Sequence, residues 1–275
     1  MKGKELYDLA KSKGLMLCAA PDTFLGSGMQ TARCVVDGGF IGTPVAGNAA
    51  VTRSYHHERF RADPERRFAF CPGGGIMFDM GCYYFASLIN LLGPIKRVCG
   101  FSQTRAANER VFANPDNPEY GKVMKIESPN NVAGVLEFEN GCLVTMTTTS
   151  EVSNAPQRFV IYGSEGELNL TDPNEFSGDT RLRTKTGEQN VIPSNHAYKD
   201  NCRGMGLADM CYAIANGREP RASGERALHM LEAADAIMGI ANGGMSTVYT
   251  MTTTCTRPAP LEKGITEFPE MVFDI

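Results

Sequence analysis

The stretch Asn131-Val132-Ala133-Gly134-Val135-Leu136-Glu137-Phe138, then Glu139-Asn140-Gly141, then Cys142-Leu143-Val144-Thr145-Met146-Thr147-Thr148-Thr149, decides the fold class. Two runs rich in β-branched and apolar residues flank an Asn-Gly turn, which is the pattern of an antiparallel hairpin. Strand-like runs continue on both sides of it. Segments 157–163 and 166–170 are joined by Gly163-Ser164-Glu165-Gly166, a second hairpin; segments 44–53, 95–104 and 123–127 precede it. Within 143–149, alternation puts Val144, Met146 and Thr148 on one face. That mixed face suits a sheet packed on a partner subunit, and equally a half-wet one.

Helices interrupt and close this sheet. Residues 76–92 read as a helix stopped by Gly93-Pro94. Residues 204–216 read as another. A third begins at Ser223, an N-cap residue, with Arg226 where a capping box would have Glu, and runs to about 241. The Thr-rich piece 247–256, followed by Pro258 and Pro260, reads as a terminal strand or tail. The first 42 residues follow a different grammar. Leu6, Leu9 and Ala10 form one stripe of a helix over 4–13. Leu15 to Ala20 (LMLCAA) is a continuous apolar run, as in a strand covered on both faces. A helix over 27–37 ends at Gly38-Gly39. The expected fold is therefore α+β: a mostly antiparallel open sheet with flanking helices, preceded by a helix–strand–helix remnant of a parallel, Rossmann-like unit. Residues 1–42 form the remnant, and 43–275 a substrate-binding and oligomerisation domain.

Composition excludes several functions. The 275 residues are 42% hydrophobic and 21% charged, with a net charge of −4, a soluble globular balance that argues against holding nucleic acid by bulk charge. No run approaches the ~20 apolar residues of a membrane helix. Met1-Lys2-Gly3-Lys4-Glu5 leads directly into the amphipathic pattern without a signal peptide, which points to the cytoplasm. The nine cysteines form no Cys-x-x-Cys pair, so reduced thiols are expected.

The densest chemical signal is Gly73-Gly74-Gly75-Ile76-Met77-Phe78-Asp79-Met80-Gly81-Cys82-Tyr83-Tyr84. The glycines let the chain turn tightly and approach a bound molecule. Asp79 and Tyr83, four apart, share a helix face and can reach one substrate hydroxyl. A phenol acidified by a nearby cation can take the hydroxyl proton, while the carboxylate holds that hydroxyl or its neighbour. The same spacing also arises from an ordinary helix turn with an incidental Asp and a packed Tyr. Of the adjacent His56 and His57, followed by Glu58, one histidine can face a substrate. A metal site is not expected, because only His196 and His229 remain as further imidazoles. Gly204-Met205-Gly206 reads as a helix start, since no buried strand precedes it as a phosphate turn requires.

Together these residues resemble the Gfo/Idh/MocA oxidoreductases, the glucose–fructose oxidoreductase and inositol dehydrogenase type. The resemblance rests on Ala20 to Gly26 (APDTFLG), Gly38 to Gly42 (GGFIG), Pro72 to Tyr84 and Leu91 to Pro94 (LLGP). It continues through Ile161 to Leu168 (IYGSEGEL), Asp172-Pro173-Asn174, Arg203 to Asp209 (RGMGLAD) and the 226–237 helix after Ala222-Ser223-Gly224. It implies oxidation of a sugar, cyclitol or related polyol with NAD or NADP, and homo-oligomers formed through the open sheet. It also implies Asp79 and Tyr83 as catalytic residues, and substrate contacts from His57, Glu58, Gly75 and Arg203. Cofactor contacts would come from Asp22 and Thr23. The family's Gly-x-Gly-x-x-Gly turn and its Glu-Lys-Pro lysine segment do not occur in these 275 residues. Helix 4–13 resembles the helix that follows Glu-Lys-Pro, so about 120 residues of a usual member, one domain's worth, are expected to be missing. The chain alone is then expected to bind no cofactor and to be inactive. The alternatives are a stand-alone carbohydrate-binding or scaffold module, and one half of a split dehydrogenase.

Overall fold

A computed structural model describes residues 2–53, 71–104, 109–111, 115–116, 118–150, 152, 156–194, 196–240 and 247–261. The helices are α1 (Lys2–Ser12), α2 (Ser27–Asp37), α3 (Cys82–Leu92), α4 (Met205–Asn216) and α5 (Gly224–Ile237). The long strands are β1 (Pro44–Thr52), β2 (Ile95–Gln103), β5 (Asn131–Phe138), β6 (Leu143–Thr149) and β7 (Arg158–Gly163). Shorter ones are β3 (Glu109–Val111), β4 (Val123–Lys125), β8 (Gly166–Asn169), β9 (Thr180–Thr184), β10 (Gln189–Ile192) and β11 (Tyr249–Thr250).

Nine strands make one sheet in the order β10-β9-β8-β7-β1-β6-β5-β2-β11; β3 and β4 pair separately. Every neighbour in the large sheet is antiparallel except β1 and β6, which run parallel from Ala46↔Leu143 to Thr52↔Thr149. The architecture is the α+β open sheet that the hairpin patterns require. Strands β9 and β10 were not legible in advance, because Arg181, Arg183, Gln189 and Asn190 obscure the apolar alternation.

One face of the sheet carries the core. Val144, Met146 and Thr148 of β6 point into it with no exposure. The wet or partner-covered face is therefore the opposite one, where Leu143 is 50% and Val135 36% exposed. At the centre of the contact, Gly100 of β2 and Gly134 of β5 face each other. A Cβ at Gly134 would lie 2.6 Å from Ile237 Cγ1, and one at Gly100 2.4 Å from the Ile237 carbonyl oxygen. Only a pair of side-chain-free residues lets the end of α5 sit this close to the sheet. Ser223 caps α5 as its sequence position suggested, accepting a bond from the Arg226 amide at 3.2 Å. The helix ends at Ile237, four residues short of the expected 241.

The opening segment departs from expectation. Residues 15–20 do not form a strand. They make one isolated bridge, Cys18 to Ser223, and leave Leu15 63% exposed. A strand exists only through its ladder partners, and on the other edge of this segment the described residues supply none. Helix α1 likewise presents Leu6 and Leu9 to solvent and approaches α5 through its Gly3 side, close to Leu231. The closing segment is held more firmly. Glu232 of α5 accepts bonds from the Tyr249 hydroxyl (2.8 Å) and from the amides of Thr252 (2.9 Å) and Thr253 (2.8 Å). Arg33, Arg221 and Gln30 anchor Pro258, Ala259, Pro260 and Leu261.

Candidate functional site

Gly75 starts the site. Its φ of +91° belongs to glycine, and a Cβ there would meet the Pro129 carbonyl oxygen and Ser128 Cβ, both at 3.0 Å. The buried Gly75 carbonyl accepts the Asp79 amide at 2.9 Å and launches the helix. The first turn is not α-helical as the periodicity predicted: Met77–Gly81 is a π-turn that runs into α3. Such wide turns occur often at functional sites. Asp79 sits in this turn and Tyr83 in the next, both half-buried.

Tyr83 reaches a cavity of about 390 Å³, walled by residues 18–22, Arg203, Gly204, Gly206, Leu207, Met210 and Ala222. The Arg203 guanidinium lies 5.9 Å from the centroid of the Tyr83 ring. Burial raises the affinity of the phenol for its proton, and the adjacent Cys82 thiol and the Asp79 carboxylate raise it further. Arg203 opposes them through its charge and its N–H groups but offsets them only in part, so the phenol stays above its ordinary value of 10. The sequence reading calls for a phenol acidified by a nearby cation; the cation beside it is Arg203, just before α4, but burial outweighs it. Burial pushes the Cys82 thiol up to about 12, so it stays protonated and is no nucleophile at neutral pH.

The other expected residues divide. Asp22 borders the cavity, but its Oδ2 accepts the amides of Gly204 (2.9 Å) and Gly206 (3.0 Å), closing the N-terminus of α4. Thr23 is a correction to the expected cofactor contact. It is 1% exposed, and its hydroxyl donates to the Pro173 carbonyl at 2.6 Å, so it faces the interior. Gly75 is buried under Ser128 and Pro129 and shapes the backbone. His57 and Glu58 lie outside the described residues. Among the described residues no group of three His, Cys, Asp or Glu side chains could hold a metal ion. The amides of Gly204 and Gly206, at the start of α4, are taken by Asp22 and are not open to a phosphate.

Sequence reasoning missed the support behind Arg203. Its Nη2 donates to both Oδ1 (3.0 Å) and the carbonyl (3.2 Å) of Asn174. Asp172 in turn accepts the Asn174 amide at 3.0 Å and pairs with Arg53 at 3.2 Å. Gln157 stands between that pair and the Tyr84 hydroxyl, 3.1 Å from the latter. Asp172-Pro173-Asn174 reads only as a turn, and its reach to Arg203, 29 residues on, has no local signal.

Residues 29–169 match the GFO/IDH/MocA C-terminal domain, just over half of the chain. The chain belongs to the GFO/IDH/MocA family. Solved structures share the fold of this GFO/IDH/MocA protein at low identity. A levoglucosan dehydrogenase in complex with NADH and L-sorbose is 16% identical over 91% of this chain and 70% of its own, with a TM-score of 0.71. An NAD-binding oxidoreductase from Klebsiella pneumoniae is 15% identical over 90% and 69%, also at 0.71. An aldose–aldose oxidoreductase from Caulobacter crescentus, complexed with glycerol, is 18% identical over 90% and 68%, at 0.68. No curated protein matches the chain.

Proposed function

We propose that this chain is the substrate-binding and oligomerisation part of an NAD(P)-dependent oxidoreductase acting on a carbinol of a sugar, cyclitol or related polyol. Residues 1–42 would be the end of a nucleotide-binding domain and 43–275 the substrate domain. The observation that carries the reading is the meeting of Tyr83 and Arg203 in one cavity, with Asp79 a turn earlier on the same helical segment. Asp79 orients the substrate by accepting a hydroxyl hydrogen bond. Tyr83 is the group that takes the reacting hydroxyl proton, and Arg203 offsets part of the burial that holds the phenol protonated; loss of that proton raises electron density at the carbinol carbon and readies it to lose hydride. His57 and Glu58 are the residues proposed to contact the remaining hydroxyls.

The hydride acceptor, NAD or NADP, would be held by residues other than those described here. The 275-residue chain by itself is therefore expected to show no micromolar NAD(P) binding by calorimetry and no turnover. Joined to a nucleotide-binding domain, the enzyme should oxidise a polyol panel, and Tyr83→Phe should lower kcat by about 10²–10⁴. A Tyr83→Phe enzyme of undiminished kcat removes the acid/base assignment. A second reading, a carbohydrate-binding or scaffold module without redox chemistry, draws support from the occupation of the Gly204 and Gly206 amides by Asp22. Polyol binding without turnover in the joined protein would favour it.

The exposed sheet face around Leu143 and Val135 fits a second copy of the chain. No helix among the described residues is long and apolar enough to cross a membrane. No disulfide joins any of the nine cysteines.

A further inference from the structure

Tyr83 and Arg203 belong to different parts of the chain, and the contact between them has to be held. Arg203 is exposed on its outer side, and an unrestrained arginine there would sample many rotamers. Its Nη2 is instead fixed by two acceptors of one residue, the Oδ1 and the carbonyl oxygen of Asn174. Asn174 is fixed in its turn: its amide donates to Asp172 Oδ1, whose second carboxylate oxygen pairs with Arg53 at the end of β1. The preceding carbonyl, that of Pro173, accepts the buried Thr23 hydroxyl. The Asp172-Pro173-Asn174 turn is thus tied to β1, to the residue beside Asp22 and to Arg203.

We propose that Asn174 is a positioning residue that holds the Arg203 guanidinium over the Tyr83 ring, where its charge works against the burial of the phenol. The inference rests on the acid/base reading of Tyr83 only for its functional meaning. Among the described residues, the charged and titratable groups facing the phenol are the Cys82 thiol and the Asp79 carboxylate from its own helical segment and Arg203 from the opposite wall. Asp22, on the same cavity, is engaged by the α4 amides. Cys82 and Asp79 both disfavour the phenolate, so Arg203 is the one of these groups that favours it. A cation over an aromatic face at a solvent-exposed site changes an equilibrium by about two- to fivefold.

The test is nitration of the full 275-residue chain with tetranitromethane, which attacks phenolate, followed across pH and read at Tyr83 by tandem mass spectrometry. It needs neither substrate nor cofactor, so its outcome is separate from that of the Tyr83→Phe turnover experiment. Arg203→Gln should lower the rate at Tyr83 by about two- to fivefold on the acid side of its profile, by moving the midpoint to higher pH at an unchanged plateau. Asn174→Ala should move the midpoint in the same direction, and Arg203→Lys should retain part of the wild-type rate. Nitration of Tyr120, 59% exposed and outside the cavity, should not change in any variant. A wild-type profile in Asn174→Ala, with the Arg203→Gln midpoint shifted, overturns the positioning role. Wild-type profiles in both variants, or a changed plateau without a moved midpoint, overturn the whole proposal.

Discussion

Replacing Asp209 tests how α4 is held beside the cavity. Its carboxylate has no exposed surface. Oδ1 receives Arg218 Nη2 at 2.6 Å and Arg221 Nη1 at 2.7 Å, and Oδ2 receives the Arg221 amide at 2.5 Å. Arg218 is partly solvated, so its share is modest. Arg221 is 7% exposed, and losing Asp209 takes a buried counter-charge from a guanidinium that also donates to the carbonyls of Ala259 and Pro260. Removing one partner of such a buried pair costs about 3–5 kcal/mol. For a chain of this size that corresponds to a Tm lower by roughly 6–20 °C. Thermal and urea unfolding of Asp209→Ala should show this loss. Part of it comes from a buried guanidinium that has lost its carboxylate, so Asp209→Leu combined with Arg221→Met should recover stability relative to Asp209→Ala. The reasoning fails if Asp209→Ala costs less than about 1 kcal/mol, or if the double variant is no more stable than the single one.

Gly134→Ala should destabilise by about 1–3 kcal/mol, because its Cβ would stand 2.4 Å from the Cys99 carbonyl oxygen; an unchanged melting curve would contradict the saddle beneath α5. The hydrogen bonds to Glu232 outweigh its burial and hold its carboxyl at about 2, below its ordinary 4.5. Its stabilisation is therefore complete above pH 4.5 and lost as pH falls toward 2. The stability gap between wild type and Glu232→Gln should narrow across that interval, and a gap constant with pH would refute the assignment. Burial lowers the His229 pKa below 6.5. The unfolded chain therefore takes up a proton first on acidification, and stability should fall as pH drops below 6.5, a fall that His229→Gln should lessen. Leu143→Arg should weaken self-association in sedimentation at tens of micromolar, and a wild-type chain that is monomeric there would rule out pairing through the sheet face.

The hairpin around Asn140-Gly141, the stop of α3, the cap of α5 and the glycine-led segment carrying Asp79 and Tyr83 are all determined by local sequence. Each follows from backbone preferences acting within a few residues: turn glycines, alternation of period two, a Ser N-cap, a Gly-Pro stop. Residues 15–20 show the limit of that logic. Their apolarity marks a strand, but strand formation depends on a neighbouring edge, which the run cannot encode. The orientation of β6 was likewise undetermined, since alternation separates two faces without saying which one the helices cover. The π-turn at Met77–Gly81, the plugging of α4 by Asp22 and the turning inward of Thr23 came only with the tertiary structure. So did the Asn174–Arg203–Tyr83 chain, which joins residues 83, 174 and 203. Contacts between such distant positions are fixed by packing and by the matching of donors to acceptors across elements, and neither leaves a periodic mark in the sequence.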